Sequence, residues 1–185
     1  LEEIDQPGEW YLDRQTGILY FYPPEGADLN EVEISKIESP MLVFDHASNI
    51  RLQGITFDMG RGNAIEMNGG HGNLIAGCRV KRFAGNGIVI QGGENHGLFG
   101  CSIHTLGRRG VELHGGDRKT LTPSGHFVEN CDIHHFSRID KTYTPAVQID
   151  GVGHRIAHNR MHHSPGHAMR LEGNDHVVEF NEIYE

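Results

Sequence analysis

The sequence has no apolar run long enough to span a bilayer and no stretch in which apolar residues recur at helical spacing. It holds only three cysteines in 185 residues. The first absence excludes a helical membrane anchor within these residues, and the second excludes a helical bundle. Cys78, Cys101 and Cys131 lack the paired CxxC spacing of a zinc ribbon and stand one to a repeat. Positive charge is also scarce: 16 Lys and Arg against 25 Asp and Glu leave a net charge of -9. Neither nucleic acid nor an anionic membrane would find a broad basic surface on such a chain. No secretory signal occurs in the residues given, which leaves open whether one preceded Leu1.

Glycine is abundant, with 25 residues, and it punctuates a repeat. Gly77-Cys78-Arg79-Val80, Gly100-Cys101-Ser102-Ile103 and Asn130-Cys131-Asp132-Ile133 align, with Ile55 before them and Asn159 and Asn181 after. The aligned column Ile55, Cys78, Cys101, Cys131, Asn159, Asn181 has spacings of 23, 23, 30, 28 and 22 residues. Units of this length cannot bury an apolar face alone and must stack. Each unit also carries an alternating strand beginning at Ile65, Ile88, Val111, Val147 or Met169. Period two puts Ile65/Ile88/Val111/Val147/Met169 and Met67/Ile90/Leu113/Ile149/Leu171 inside. Short strands with glycine corners predict an all-β fold, a right-handed parallel β-helix with little helix. A disordered chain would not repeat aliphatic columns in register.

Ahead of the repeats, Trp10-Tyr11-Leu12 and Ile18-Leu19-Tyr20-Phe21-Tyr22 flank Asp13–Gly17 and read as an aromatic hairpin. The predicted division is residues 1–30 for hairpin and linker and 31–185 for the solenoid. Val32-Glu33-Ile34 and Met41–Phe44 would form its entry turn, giving one continuous architecture. The last strand, Asn181–Tyr184, has no polar cap after it, so the chain is expected to be a fragment of a longer β-helix. An open end is an unpaired edge, and self-association through it is a candidate partnership. The three cysteines share one inward column whose spacing of about 4.8 Å between turns suits stacked thiols better than a disulfide.

Two units break the regular spacing, at Asp117–Pro123 and near Arg138–Tyr143. Insertions in a solenoid map to loops and often to the binding face. These two flank the outward residues Glu112, His114, Gln148, Asp150, Arg170 and Glu172. Asp150 and Glu172 fall roughly 5 Å apart at the backbone, and Glu112 and Asp150 roughly 8 Å. Paired carboxylates separated by about 5–5.5 Å suit a retaining glycosidase and by about 6.5–9.5 Å an inverting one, and side chains can reach either from this backbone. A solvated ionic network is the bland reading of the same pairs. His96/His126/His154/His176 and His104/His134/His162 form columns, as stacked repeats produce, and no metal is expected from them. His135, His163 and His167 lie in the insertion-bearing part and are candidates for contact with sugar. Arg108, Arg109, Arg118, Lys119, Arg138 and Lys141 crowd the same units and leave room for a local anion.

Several segments resemble a known family. Gly8-Glu9-Trp10-Tyr11-Leu12-Asp13 with Gly17-Ile18-Leu19-Tyr20, Gly115–Leu121, Tyr143–Val147, Gly151-Val152-Gly153 and Gly173–His176 look like the right-handed parallel β-helix proteins around glycoside hydrolase family 141. The repeat itself is shared with pectinases, polysaccharide lyases and phage tailspikes, so the hairpin and the Gly-Gly-Asp-Arg segment carry the specificity. The resemblance implies a secreted or periplasmic bacterial enzyme acting on plant or other complex polysaccharides. Its relatives continue beyond the position of Tyr184, and no family catalytic residue can be matched here.

By position and chemistry, Asp150 and Asp117 are the catalytic candidates. Glu112, His114, Arg118, His135, Tyr143, Gln148, His163, His167, Arg170 and Glu172 are the candidates for binding substrate. The leading expectation is a glycoside hydrolase working on a polysaccharide or oligosaccharide without a cofactor. The runner-up is a polysaccharide lyase, in which Arg118, Arg170 or a calcium ion would neutralise a uronate. A non-catalytic carbohydrate-binding or tailspike-like module is the third, and it would need exposed aromatic platforms that this face largely lacks.

Overall fold

A computed structural model describes residues 4–185. They fall into two compact units, one ending at Ile34 and the other running Ser35–Glu185. In the first, β1 (Trp10–Leu12) and β2 (Leu19–Phe21) pair antiparallel, with Tyr11 opposite Tyr20. The Asp13 carboxylate closes the turn by accepting from the Gln15 amide at 2.9 Å and the Thr16 hydroxyl at 2.6 Å. Val32 and Ile34, expected in the entry turn, lie in no strand and are exposed. Two apolar residues without a neighbouring strand have nothing to pair with or pack on.

The second unit is a solenoid of six rungs with three strands each. The first two rungs are β3 (Leu42–Asp45), β4 (Arg51–Gln53) and β5 (Thr56–Gly60), then β6 (Ile65–Asn68), β7 (Leu74–Ala76) and β8 (Arg79–Phe83). The next two are β9 (Ile88–Gln91), β10 (Gly97–Phe99) and β11 (Ser102–Leu106), then β12 (Val111–Gly115), β13 (Phe127–Glu129) and β14 (Asp132–His134). The last are β15 (Val147–Val152), β16 (Arg155–Ala157) and β17 (Arg160–His162), then β18 (Met169–Asn174), β19 (Val177–Glu179) and β20 (Glu182–Tyr184). Corresponding strands stack in parallel into three six-stranded sheets. This is a parallel β-helix; the one helical element among the described residues is the short 3-10 turn Leu29–Glu31.

The alternating strands form one sheet, and their register sets Val111 beside Ile88 and Val147, and Leu113 beside Ile90 and Ile149. These side chains are fully buried. Each stabilises the fold by roughly 1.5–3 kcal/mol through burial. Leu171 is 50% exposed, because β18 is the edge strand of its sheet among the described residues.

Corners leave backbone N–H groups outside the ladders, and two columns of side chains satisfy them. Cys131 Sγ accepts from the Cys101 amide at 3.4 Å, Asn159 Oδ1 from the Cys131 amide at 2.9 Å, and Asn181 Oδ1 from the Asn159 amide at 3.0 Å. Cysteine and asparagine therefore share one column because both offer an acceptor at the same corner. The three thiols are free and buried. Asn73, His96, His126, His154 and His176 make the second column. There Nδ1 of His96 accepts from the Asn73 amide at 3.2 Å, His126 from the His96 amide at 3.2 Å, and His176 from the His154 amide at 3.1 Å. The rings stack 5.0–5.4 Å apart.

Candidate functional site

The outer face of the β12–β15–β18 sheet carries the ionisable groups. Register puts Glu112 beside Gln148, His114 beside Asp150, and Asp150 beside Glu172. The insertion after β12 and the insertion before β15 reach this face from opposite strand ends. From the first, Arg118 Nη1 comes within 3.8 Å of Asp150 Oδ1. From the second, the Tyr143 carbonyl accepts from Arg109 at 3.3 Å, while the Tyr143 ring stacks on His167 at 6.3 Å and lies 6.0 Å from the Arg170 guanidinium. Glycine lets the strand leave the face sharply: Gly151 has φ +126° and packs on the Gly115 carbonyl where a Cβ would collide.

Glu112 is the anchor. Its side chain is 15% exposed and accepts from His114 Nε2 at 2.9 Å and Asn86 Nδ2 at 3.1 Å, with Arg109 Nη1 at 3.6 Å. The His114 hydrogen bond, then the Arg109 charge, hold its carboxyl below the usual range against the opposing effect of burial. The same hydrogen bond raises His114, whose Nδ1 lies 3.9 Å from Asp150 Oδ2. Asp150 differs. Its side chain is 39% exposed overall, yet Oδ1 is shielded from solvent and accepts no hydrogen bond from any described residue. Its carbonyl accepts from His154 Nε2 at 3.0 Å, which ties the strand carrying it to the histidine column.

Four sequence candidates sit differently from expectation. Gln148 points outward but is buried, because Arg109 Nε donates to its Oε1 at 2.6 Å and covers it. Asp117 is occupied by its own loop: it accepts from the Lys119 amide at 2.9 Å and the Thr120 hydroxyl at 3.0 Å, and these bonds lower its pKa. It closes an Asx turn and has the surroundings of a loop anchor. His135 and His163 follow β14 and β17, on the neighbouring sheet, in left-handed conformation with φ 51° and 53°. They stack on each other at 5.1 Å and bond to His134 and His162 through Nδ1.

The structure thus brings together Glu112, His114, Arg118, Tyr143, Asp150, His167, Arg170 and Glu172, with Gln148 beneath Arg109. Arg109 and Asn86, both in turns that precede strands, are site residues that alternation within strands could not single out. Asn63 and Asn86 recur at equivalent turns and were the available signal: Asn63 Oδ1 accepts from the Asn86 amide at 2.8 Å, and Asn86 Oδ1 from the Arg109 amide at 3.1 Å. Four arginines here face a carboxylate: Arg108 with Asp140 at 2.9 Å, Arg109 with Glu112, Arg118 with Asp150, and Arg170 with Glu172 at 2.6 Å. Two concavities, of about 560 Å³ beside Tyr11–Gln15 and about 280 Å³ around Phe136, Met161 and Ser164, are lined by other residues. The second is also lined by His162 and its cross-strand partner Tyr184, stacked 4.8 Å apart on a different sheet from Asp150, and the first belongs to the hairpin unit.

The family described as the right-handed β-helix region matches residues 16–135, more than half of the chain. No curated protein matches it. Two solved structures are similar, the A-modules of the Azotobacter vinelandii mannuronan C-5 epimerases AlgE6 and AlgE4. Identity is 12% and 15%, the TM-score 0.46 and 0.33, and each alignment covers 78% of this chain. The chain spans about half the length of these modules, 54% and 51%.

Proposed function

The chain belongs to the right-handed β-helix family, and from that premise we propose that it is a carbohydrate-active protein whose β12–β15–β18 face hydrolyses glycosidic bonds. The observation that carries the reading is Asp150: a carboxylate with one shielded oxygen free of hydrogen bonds, set between a histidine and the loop-borne Arg118. Hydrolysis needs one carboxyl group to protonate the leaving oxygen and a second to activate water or attack the anomeric carbon. Asp150 is the first choice for the acid/base group. Glu172, one rung away and paired with Arg170, is the available second carboxylate. Tyr143 and His167, stacked and open, offer a ring platform and polar edges to a sugar.

The pairing of Arg118 and Arg170, the two arginines named for uronate neutralisation, favours hydrolysis over elimination, because an elimination site needs a cation free to neutralise the substrate carboxylate. Arg118 and Arg170 are each already opposite a carboxylate. The test is to incubate the chain with neutral and uronate-containing polysaccharides and analyse the products. New reducing ends without unsaturated-uronate absorbance are expected. Unsaturated ends would make the protein a lyase, and retention of a polysaccharide without any product would make it a binding module.

A further inference from the structure

The geometry points to a proton relay in which His114 holds and returns the proton of Asp150, with Glu112 as the residue that positions the imidazole. This inference rests on the hydrolytic reading of the same face and extends it to a role for His114 beyond contact with substrate.

The three groups lie in a line across two rungs. Glu112 and His114 share the outward face of β12, two residues apart, and Asp150 is the cross-strand partner of His114 on β15. A carboxylate only accepts, so the 2.9 Å contact between Glu112 Oε1 and His114 Nε2 places the ring hydrogen on Nε2. That leaves the Nδ1 lone pair facing Asp150 Oδ2. At 3.9 Å the gap is longer than a hydrogen bond, as is common for catalytic contacts before substrate closes the site. Glu112 itself is poorly placed to exchange protons, being largely buried and fixed by Asn86, Arg109 and His114. Its position suits orientation instead, like the buried carboxylate behind a catalytic histidine.

The transfer balances without a co-reactant. When Asp150 takes a proton from attacking water, the new O–H bond breaks toward His114, an N–H bond forms at Nδ1, and the electron pair stays on the Asp150 carboxylate. The resulting imidazolium lies between two carboxylates, and the same N–H bond then breaks to return the proton to Asp150, which restores the neutral ring and rearms Asp150 to protonate the next leaving oxygen. The charged and titratable groups that act on His114 are Glu112 on its own strand, Asp150 on β15, Arg109 before β12, and His154 after β15. Glu112 is the strongest of them and raises the ring above its ordinary value; Asp150 acts in the same sense, and Arg109 opposes.

Imidazole NMR titration of the intact chain tests this without any substrate, with His114→Gln supplying the assignment. The relay requires a neutral Nε2–H tautomer and a midpoint above that of an ordinary histidine, falling in both Glu112→Gln and Asp150→Asn. A midpoint at or below the ordinary value, or one unmoved by Glu112→Gln, overturns the relay whether or not the protein hydrolyses anything. A titration as expected, with no hydrolysis of any polysaccharide, retains the relay as a proton-holding device and overturns the hydrolytic reading. Where hydrolysis is found, His114→Gln should lower kcat about 10²-fold and remove one limb of the pH–rate profile, leaving KM nearly unchanged. An unaltered profile would contradict the relay.

Discussion

Replacing Val111 by aspartate is expected to remove about 5 kcal/mol of folding stability, enough to leave a domain of ordinary stability largely unfolded. Val111 is fully buried on the inner face of its sheet, between Ile88 and Val147. A carboxylate there would lose its hydration with no cation or donor on the inner columns to replace it, and the valine's own burial would be lost as well. Val177→Asp is the control: Val177 is 45% exposed on an outer face and lies beside Arg155. It should change stability by less than about 1 kcal/mol. Urea unfolding followed by far-UV circular dichroism measures both, and a Val111→Asp protein as stable as its parent would show that these columns are not the core.

Acidification from pH 7 to pH 4.5 is expected to weaken the solenoid by about 3 kcal/mol through His126 alone, with His96 and His154 adding in the same direction, before most carboxylates titrate. Burial holds His96, His126 and His154 below the ordinary histidine value; His126, repelled also by His154 and His96, is lowered to about 3. Each unfolded histidine takes up its proton near pH 6.5, at about 1.4 kcal/mol per unit of difference. Because the folded values lie below the unfolded ones, this stabilisation is complete above about pH 6.5 and is lost as the pH falls toward the folded values. His114, raised by Glu112, works in the opposite direction and offsets a small part.

The chemistry is specific. An imidazolium has no lone pair, so protonation of His126 would break its bond from the His96 amide and set a charge 5.2 Å from the next ring. Unfolding measured at intervals across this range should show stability falling steadily below pH 6.5, with a shallower slope for His126→Asn, which keeps an acceptor without a titrating group. A flat profile from pH 7 to 4.5 would contradict the ladder as described.

Much of this was legible because the repeat is long-range while the signal is local. The strands at Ile65, Ile88, Val111, Val147 and Met169 alternate over four residues or more, and the register between them follows once their glycines are aligned. The strands β4, β7, β10, β13, β16 and β19 have three residues each. Three residues are too few for alternation to stand out from a loop, so one sheet of the three was invisible in the sequence. The corner histidines were legible as a column, but the reason for them, amide groups left without ladder partners, appears only when the rungs are stacked.

The candidate site divides along the same line. Glu112, His114, Asp150, Arg170 and Glu172 share a face by strand period, and the structure gives them that register. Gln148 obeys the same period and is nevertheless covered, since burial depends on Arg109 from a turn whose path the period does not set. Asp117 is a candidate by its chemistry and its position in the insertion after β12, whereas the closing of an Asx turn is a matter of loop geometry. His135 and His163 were grouped with the face by proximity to an insertion, but a corner separates them from it.

The central claim is that the face around Asp150 breaks glycosidic bonds, and the most direct measurement is the hydrolysis rate of Asp150→Asn against the parent on a polysaccharide that the parent cleaves. The substitution keeps the size of the side chain and removes its ability to accept and return a proton. The expected result is a loss of about 10²- to 10⁴-fold with the circular dichroism spectrum and urea midpoint unchanged. Full activity in Asp150→Asn would contradict the account and move the chemistry off this face.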